Sequence, residues 1–270
     1  NSNGTGNSLN SVIIPNVLQR LNNKFSASKI EFIQCGDINQ INNSDWYDFP
    51  AVDYSGNNGV DFSYLENIMD LHNVPNMLNI YFPNSISGAG GFYPGFEQAP
   101  HLESMLMISK GLLELGLVME HEIGHWLYLP HTHGNGNING TSDELVNGSN
   151  CTTAGDRICD TPADPNLYNL VTDDGNCEYV GNSVDANGQP YVPNTTNIMS
   201  YTYYECRNSF SNQQLLRMGI LMRTNLRNFI NDSSCGGNVN SAISLSNDID
   251  FGNVQVNTNS NVQTLTVSNH

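Results

Sequence analysis

Between Ser8 and Asn23 the apolar positions Leu9, Val12, Ile13, Val17, Leu18 and Leu21 recur at the helical period, so an amphipathic helix is predicted there, disturbed early by Pro15. From Lys29 to Cys35 apolar and polar residues alternate, the pattern of a half-buried strand. Met77 to Phe82 repeats that alternation before the turn signal Pro83-Asn84, and Met105 to Ile108 predicts a further short strand. Ser85 to Gly95 reads as a glycine-rich loop. From Leu112 to Leu127 the helical period returns, with Leu112, Leu115, Met119, Ile123 and Trp126 on one face. Residues 131–198 are polar and broken by Gly, Pro and Asn; so long an irregular region calls for cross-links or a bound ion. Ser211 and Gln214 stand in capping-box relation at the start of a last helix, whose buried face is marked by Leu215, Met218, Met222, Leu226 and Phe229.

Cys235-Gly236-Gly237 closes this domain, taken as residues 1–237. Residues 238–270 read as a linker and the truncated start of an immunoglobulin-like β-sandwich, from alternating runs such as Val254-Gln255-Val256 and Leu265-Thr266-Val267.

Composition narrows the class. The 270 residues carry 26 acids against 9 bases, a net charge of −17, with no Lys/Arg cluster to offset it. Such a surface repels phosphate backbones, which excludes a nucleic-acid partner, and it leaves carboxylates free for calcium. Six cysteines, four of them between residues 151 and 206, have no zinc-ribbon spacing and predict disulfides in an oxidising compartment, with the pairing left open. No stretch is long and apolar enough for a membrane span, and Asn1–Asn10 has no signal-peptide pattern, so a processed secreted form is expected.

The chemistry lies in His121-Glu122-Ile123-Gly124-His125 on the second predicted helix. Residues four apart share a helix face, so both imidazoles can reach one ion while Glu122 stands beside it without being a ligand. His131 follows, and Pro130 before it ends the helix so that the chain can turn back. Three protein ligands with an open fourth position are the pattern of a catalytic zinc site. His133 is placed outside that shell.

With Asn197-Ile198-Met199-Ser200-Tyr201 downstream, the His-Glu-x-x-His-x-x-x-x-x-His run resembles the metzincin pattern and, within it, the pappalysin (cytophagalysin) family. The likeness extends to His131-Thr132, Gly155-Asp156 leading to Asp160-Thr161-Pro162, Cys206, and Phe210 to Met218, and covers roughly residues 8 to 235. It implies an α/β (α+β) metzincin fold: a twisted mixed sheet, an active-site helix, and an irregular lower subdomain with the Met-turn and the C-terminal helix. The family's first strand is missing from what precedes Ser8. It further implies Met199 as the floor under the ligands and Tyr201 as a further ligand or an oxyanion donor. A calcium loop falls on Asp156 and Thr161 with Asp160 nearby, and Cys177 pairs with Cys206. The family has glycine where this chain has Tyr128, the site of a left-handed turn; a non-glycine residue there costs on the order of 1–2 kcal/mol.

The expectation is therefore a secreted zinc endopeptidase acting on protein or peptide substrates, with Glu122 as general base for the attacking water and Zn2+ and Ca2+ as cofactors. Some relatives place an acid shortly after the Met-turn methionine to select arginine. The position taken as matching here is Tyr204, with Glu205 beside it, which predicts no strict arginine preference and an apolar or mixed pocket. The rival expectation is a catalytically silent extracellular binding protein on a metzincin scaffold.

Overall fold

The computed structural model describes residues 13–49, 62–75, 77–94, 105–113, 117–134 and 142–224, with the backbone of 244–245 and 267–268. Residues 1–230 form one compact unit and 231–270 another. In the second, β6 (Ser244–Leu245) pairs antiparallel with β7 (Val267–Ser268); the rest of the predicted sandwich start lies outside the described residues.

The first predicted helix is α1 (Ile13–Phe25), which buries Val17, Leu21 and Phe25. Pro15 falls in its first turn, where a missing N–H leaves no intrahelical bond broken. The strand predicted for Lys29–Cys35 is not formed. Its alternation is intact, but the Asn22 side chain takes the Phe32 N–H at 2.7 Å and donates to the Phe32 carbonyl at 3.0 Å. One amide group thus satisfies the backbone groups a ladder would have used.

The main sheet has the order β2-β5-β4. The predicted strands appear as β2 (Asn79–Tyr81) and β5 (Met105–Ile108), which run parallel, Ile80 opposite Leu106. β4 (Gly91–Phe92) lies antiparallel on the other side of β5, with Phe92 opposite Met107. The loop expected over Ser85–Gly95 therefore contains two short strands, because β3 (Ser85–Ile86) also pairs parallel with β1 (Asp48–Phe49). A helix with no sequence prediction, α2 (Phe62–His72), packs Leu65 and Ile68 beneath Phe49, Ile86, Phe92 and Met107.

Of the helix predicted over Leu112–Leu127, the described parts are α3 (Lys110–Leu113) and α4 (Leu117–Trp126). The last helix, α5 (Asn212–Thr224), starts where the capping box placed it: Gln214 N donates to Ser211 Oγ at 3.1 Å and Ser211 N to Gln214 Oε1 at 2.8 Å. Such a reciprocal cap stabilises a helix start by about 1 kcal/mol. Leu226 and Phe229 lie outside the described residues.

One core joins these parts. Phe25 of α1, Leu106 and Ile108 of β5, Ile123 and Trp126 of α4, Met199, Phe210 and Met218 of α5 pack in a single cluster. Phe25 and Phe210 meet with ring centroids 5.0 Å apart. The irregular region is held by the disulfides Cys151–Cys159 and Cys177–Cys206, the second as the resemblance implied. Cys35 is also disulfide-bonded. Among the described residues no helix is long and apolar enough to cross a membrane.

Candidate metal centre

Helix α4 carries His121, Glu122 and His125 toward the protein interior, and its end decides where His131 goes. Tyr128 N donates to the His125 carbonyl at 2.8 Å and Leu129 N to the Gly124 carbonyl at 2.9 Å, while Tyr128 has φ +60°. This is a Schellman stop with tyrosine in the left-handed position that glycine usually takes. The turn therefore keeps the geometry of a glycine turn. Two further bonds then fix the returning chain. Thr132 N donates to the Met199 carbonyl at 3.1 Å, and Thr132 Oγ1 donates to Asp164 Oδ2 at 2.5 Å.

The outcome is a cluster of three imidazoles. Their Nε2 atoms lie 3.2 Å (His121–His131), 3.2 Å (His125–His121) and 3.0 Å (His125–His131) apart. Among the described residues this is the one group of His, Cys, Asp or Glu whose ligand atoms draw together closely enough for a metal.

Two of the rings have their tautomer set from behind. His121 Nδ1 lies 2.7 Å from the Ile198 carbonyl and His125 Nδ1 2.8 Å from the Leu129 carbonyl. A carbonyl only accepts, so each Nδ1 carries the proton and each Nε2 presents a bare lone pair. Lone pairs in mutual contact repel unless a cation lies between them. Ligands about 2.0–2.1 Å from a tetrahedral ion are about 3.3 Å from one another, so the observed separations fit zinc. Burial, with smaller effects from Arg207 and the neighbouring imidazoles, holds His121 and His131 well below the ordinary histidine range. His125 is pushed down to about 4 by burial, against the Leu129 carbonyl. All three are neutral donors.

Glu122 is buried beside them, and its carboxylate accepts from the Tyr93 N–H at the end of β4. Burial pushes this carboxyl up to about 8, against the opposing pull of the Arg207 guanidinium. Burial thus raises its affinity for a proton above that of an ordinary carboxylate. Tyr201, 36% exposed, stands at the rim with its ring 4.3 Å from that of His131. Burial and the nearby Glu122 charge raise its phenol above the usual tyrosine range, so it is a proton donor at neutral pH. His133 lies outside the triad, as expected, but it is buried and stacked on His131 at 5.0 Å and 6°.

Met199 is fully buried under the helix, and a Cβ built on Gly124 would come 2.4 Å from its sulfur. The Met-turn is held in turn by Asn197, whose Oδ1 accepts from Met199 N at 2.8 Å and whose Nδ2 donates to Gln214 Oε1 at 2.9 Å. Asp164 is a residue that motif reasoning missed. Its carboxylate accepts from Thr132 Oγ1 and, at 3.1 Å, from Ser200 Oγ, so it ties the third histidine's turn to the Met-turn. Its signal was the second acid in the run Asp160-Thr161-Pro162-Ala163-Asp164.

The residues assigned to calcium are placed differently from one another. Asp156 is fully buried and accepts from Thr161 Oγ1 at 2.9 and 3.0 Å and from Ile158 N at 2.9 Å. Asp160 is spent elsewhere, accepting from Ser211 Oγ at 2.6 Å and Gln213 N at 2.9 Å at the start of α5. Beside Asp156 lies Glu144, not singled out from sequence, with a buried Oε2 that has no hydrogen-bond partner. Burial, then the charges of Asp156, Asp143 and Asp164, push its carboxyl up to about 8.

The mixed sheet, the helix bearing two histidines and the methionine turn beneath them define the metzincin class of fold. Known proteins agree with that assignment. Residues 106–223 match the peptidase M43 family, described as pregnancy-associated plasma protein-A. An extracellular metalloprotease of Colletotrichum graminicola (strain M1.001 / M2 / FGSC 10212) is 30% identical over an alignment of 154 residues that covers 52% of this chain and 47% of that protein. The chain thus spans about half the length of that curated relative. The solved structure of mirolysin in complex with compound 9 has the same fold, with a TM-score of 0.54 at 21% identity, covering 82% of this chain and 89% of that one. Over its segment 106–223 the chain is similar to the pappalysin family of metzincins.

Proposed function

We propose that this chain is a secreted zinc-dependent endopeptidase. The observation that carries the proposal is the convergence of three imidazole Nε2 atoms within 3.0–3.2 Å of one another, next to a buried carboxylate. His121, His125 and His131 would hold the ion, and zinc bound there supplies a Lewis acid that polarises a peptide carbonyl and acidifies water.

The remaining work falls to the chain's own side chains. Glu122, held by the Tyr93 N–H, takes a proton from the attacking water and delivers it to the leaving amine. Tyr201, kept protonated at the rim, donates to the carbonyl oxygen as charge develops there. Met199 gives the ligands an apolar floor. Among the described residues the β4 strand lies at an edge of its sheet, a position that suits an extended peptide as an added strand.

Secretion is supported by the disulfides and by a relative named as extracellular. Calcium is proposed as a second ion at Asp156 and Thr161, joined by Glu144. A buried carboxylate oxygen without a partner among like charges fits a hard cation.

Metal analysis of the purified protein, with a casein cleavage assay run with and without chelator, tests the central reading. One equivalent of zinc and chelator-sensitive cleavage are expected. Absence of either overturns it, and zinc binding without cleavage favours the silent binding protein.

A further inference from the structure

Arg207 is among the least explained buried groups near the metal centre. It is 8% exposed, and burial alone makes an unpaired guanidinium costly to keep. Its hydrogen bond among the described residues runs from Nε to the Thr202 carbonyl at 3.3 Å, which leaves the terminal nitrogens without a protein acceptor. No Asp or Glu pairs with it among the described residues. The guanidinium carbon lies instead over the Tyr204 ring, 4.9 Å from its centroid. Its charge reaches Glu122, Tyr201 and all three histidines, so it lies in the neighbourhood of the metal centre.

The surroundings are built around it. The Tyr204 hydroxyl reaches the backbone of the strand edge so closely that a Cβ on Gly90 would come 2.7 Å from it. The same Cβ would meet Leu112 and Val118, so apolar side chains pack on this strand end. The turn at Tyr204–Cys206 is fixed by the Cys177–Cys206 disulfide, immediately before Arg207. A planar cation on an aromatic platform, its terminal nitrogens bonded to no acceptor among the described residues, matches a carboxylate in geometry and charge. Among the described residues Glu122 is the carboxylate whose charge acts on it, and in the endopeptidase reading that group serves as the base.

We propose that Arg207 is a specificity-determining residue of the cleft, taking the carboxylate of an Asp or Glu side chain next to the scissile bond. This rests on the endopeptidase reading above and replaces the apolar or mixed pocket expected from Tyr204 with a cationic one. A purely structural role for Arg207, clamping Thr202 to Tyr204, would favour no substrate over another.

The test compares peptides identical except for Glu, Gln, Leu or Arg at each position flanking the cleaved bond, each made with a free and an amidated C-terminus. For the zinc-loaded wild-type protein, kcat/KM for Glu is expected to exceed that for Gln by on the order of 10–100-fold at one of those positions, the size of one charge-assisted hydrogen bond. Arg207→Lys should retain part of that ratio and Arg207→Gln should bring it to about one, with the Leu peptide changed far less. Dissociation constants of the same peptides for the zinc-loaded Glu122→Gln variant give a readout that needs no turnover. Equal affinity for the Glu and Gln peptides there overturns the role of Arg207, whether or not the wild-type protein cuts them. A preference that vanishes on amidation also overturns it, since the carboxylate recognised would be the chain end. Absence of zinc and of all cleavage would instead strike the endopeptidase reading.

Discussion

The sulfur of Met199 occupies the space where a side chain on Gly124 would begin, 2.4 Å from the Cβ position. Gly124 sits between Glu122 and His125 on the buried face of α4, so the helix and the Met-turn approach each other through a missing methyl group. Gly124→Ala would gain helix propensity of about 1 kcal/mol, but overpacking a closed core costs about 1–3 kcal/mol, and here Met199 is fully buried. Net destabilisation and weaker zinc binding are expected. A double-mutant cycle with Met199→Ala, followed by thermal unfolding, should recover most of the loss; additive effects would show that the two residues do not meet.

Glu122→Gln should keep the metal and lose cleavage. The side chain is isosteric and is not among the converging nitrogens, so zinc content should stay at one equivalent. General-base catalysis contributes about 10²–10⁴-fold, and kcat should fall by that order. Retention of more than a tenth of wild-type kcat would remove Glu122 from the role of base.

Tyr201→Phe removes the phenol while keeping the ring against His131 at the 4.3 Å centroid spacing. Loss of one donor to a developing oxyanion costs roughly 10²-fold in kcat, with KM little changed. A change confined to KM would assign Tyr201 to ground-state binding.

The acidic pair Glu144 and Asp156 predicts how stability varies with pH. Burial, then the Asp156 charge, pushes Glu144 up to about 8, and burial pushes Asp156 up to about 7. Unfolded, both titrate near 4. Between those limits the folded state holds protons that the unfolded state has lost. The stability linked to these groups is therefore full below about pH 4 and falls as pH rises through 7–8. In calcium-free buffer the melting temperature should drop from pH 5 to pH 8. Calcium should raise it at pH 7.5 and have little effect at pH 5. A calcium response that does not depend on pH would place the ion elsewhere.

Tyr128 gives the last prediction. At φ +60° a β-branched residue is worse placed than tyrosine, so Tyr128→Val should lower stability by about 1–2 kcal/mol in denaturant titrations and weaken zinc binding through His131. Tyr128→Gly should stay within about 1 kcal/mol of wild type, because relief of the turn opposes loss of the ring's contacts.

Much of the local structure was legible in the linear sequence because it depends on neighbours a few residues apart. The spacing of His121, His125 and His131 on a helix that then stops, and the Ser211–Gln214 cap, are of this kind. So are the α1 stripe and the β5 apolar run. Lys29–Cys35 went the other way: its alternation predicts a strand, and an amide ten residues upstream took its backbone groups. What only the tertiary structure decided are the meetings of distant residues. His121 is oriented by the Ile198 carbonyl, and Asp164 couples Thr132 to Ser200. Glu144 comes to lie beside Asp156, and the guanidinium of Arg207 comes to rest over the Tyr204 ring with no carboxylate paired to it among the described residues. Periodicity encodes which face of an element is buried; it carries no record of which carbonyl, carboxylate or charge will lie across from that face once the core has closed.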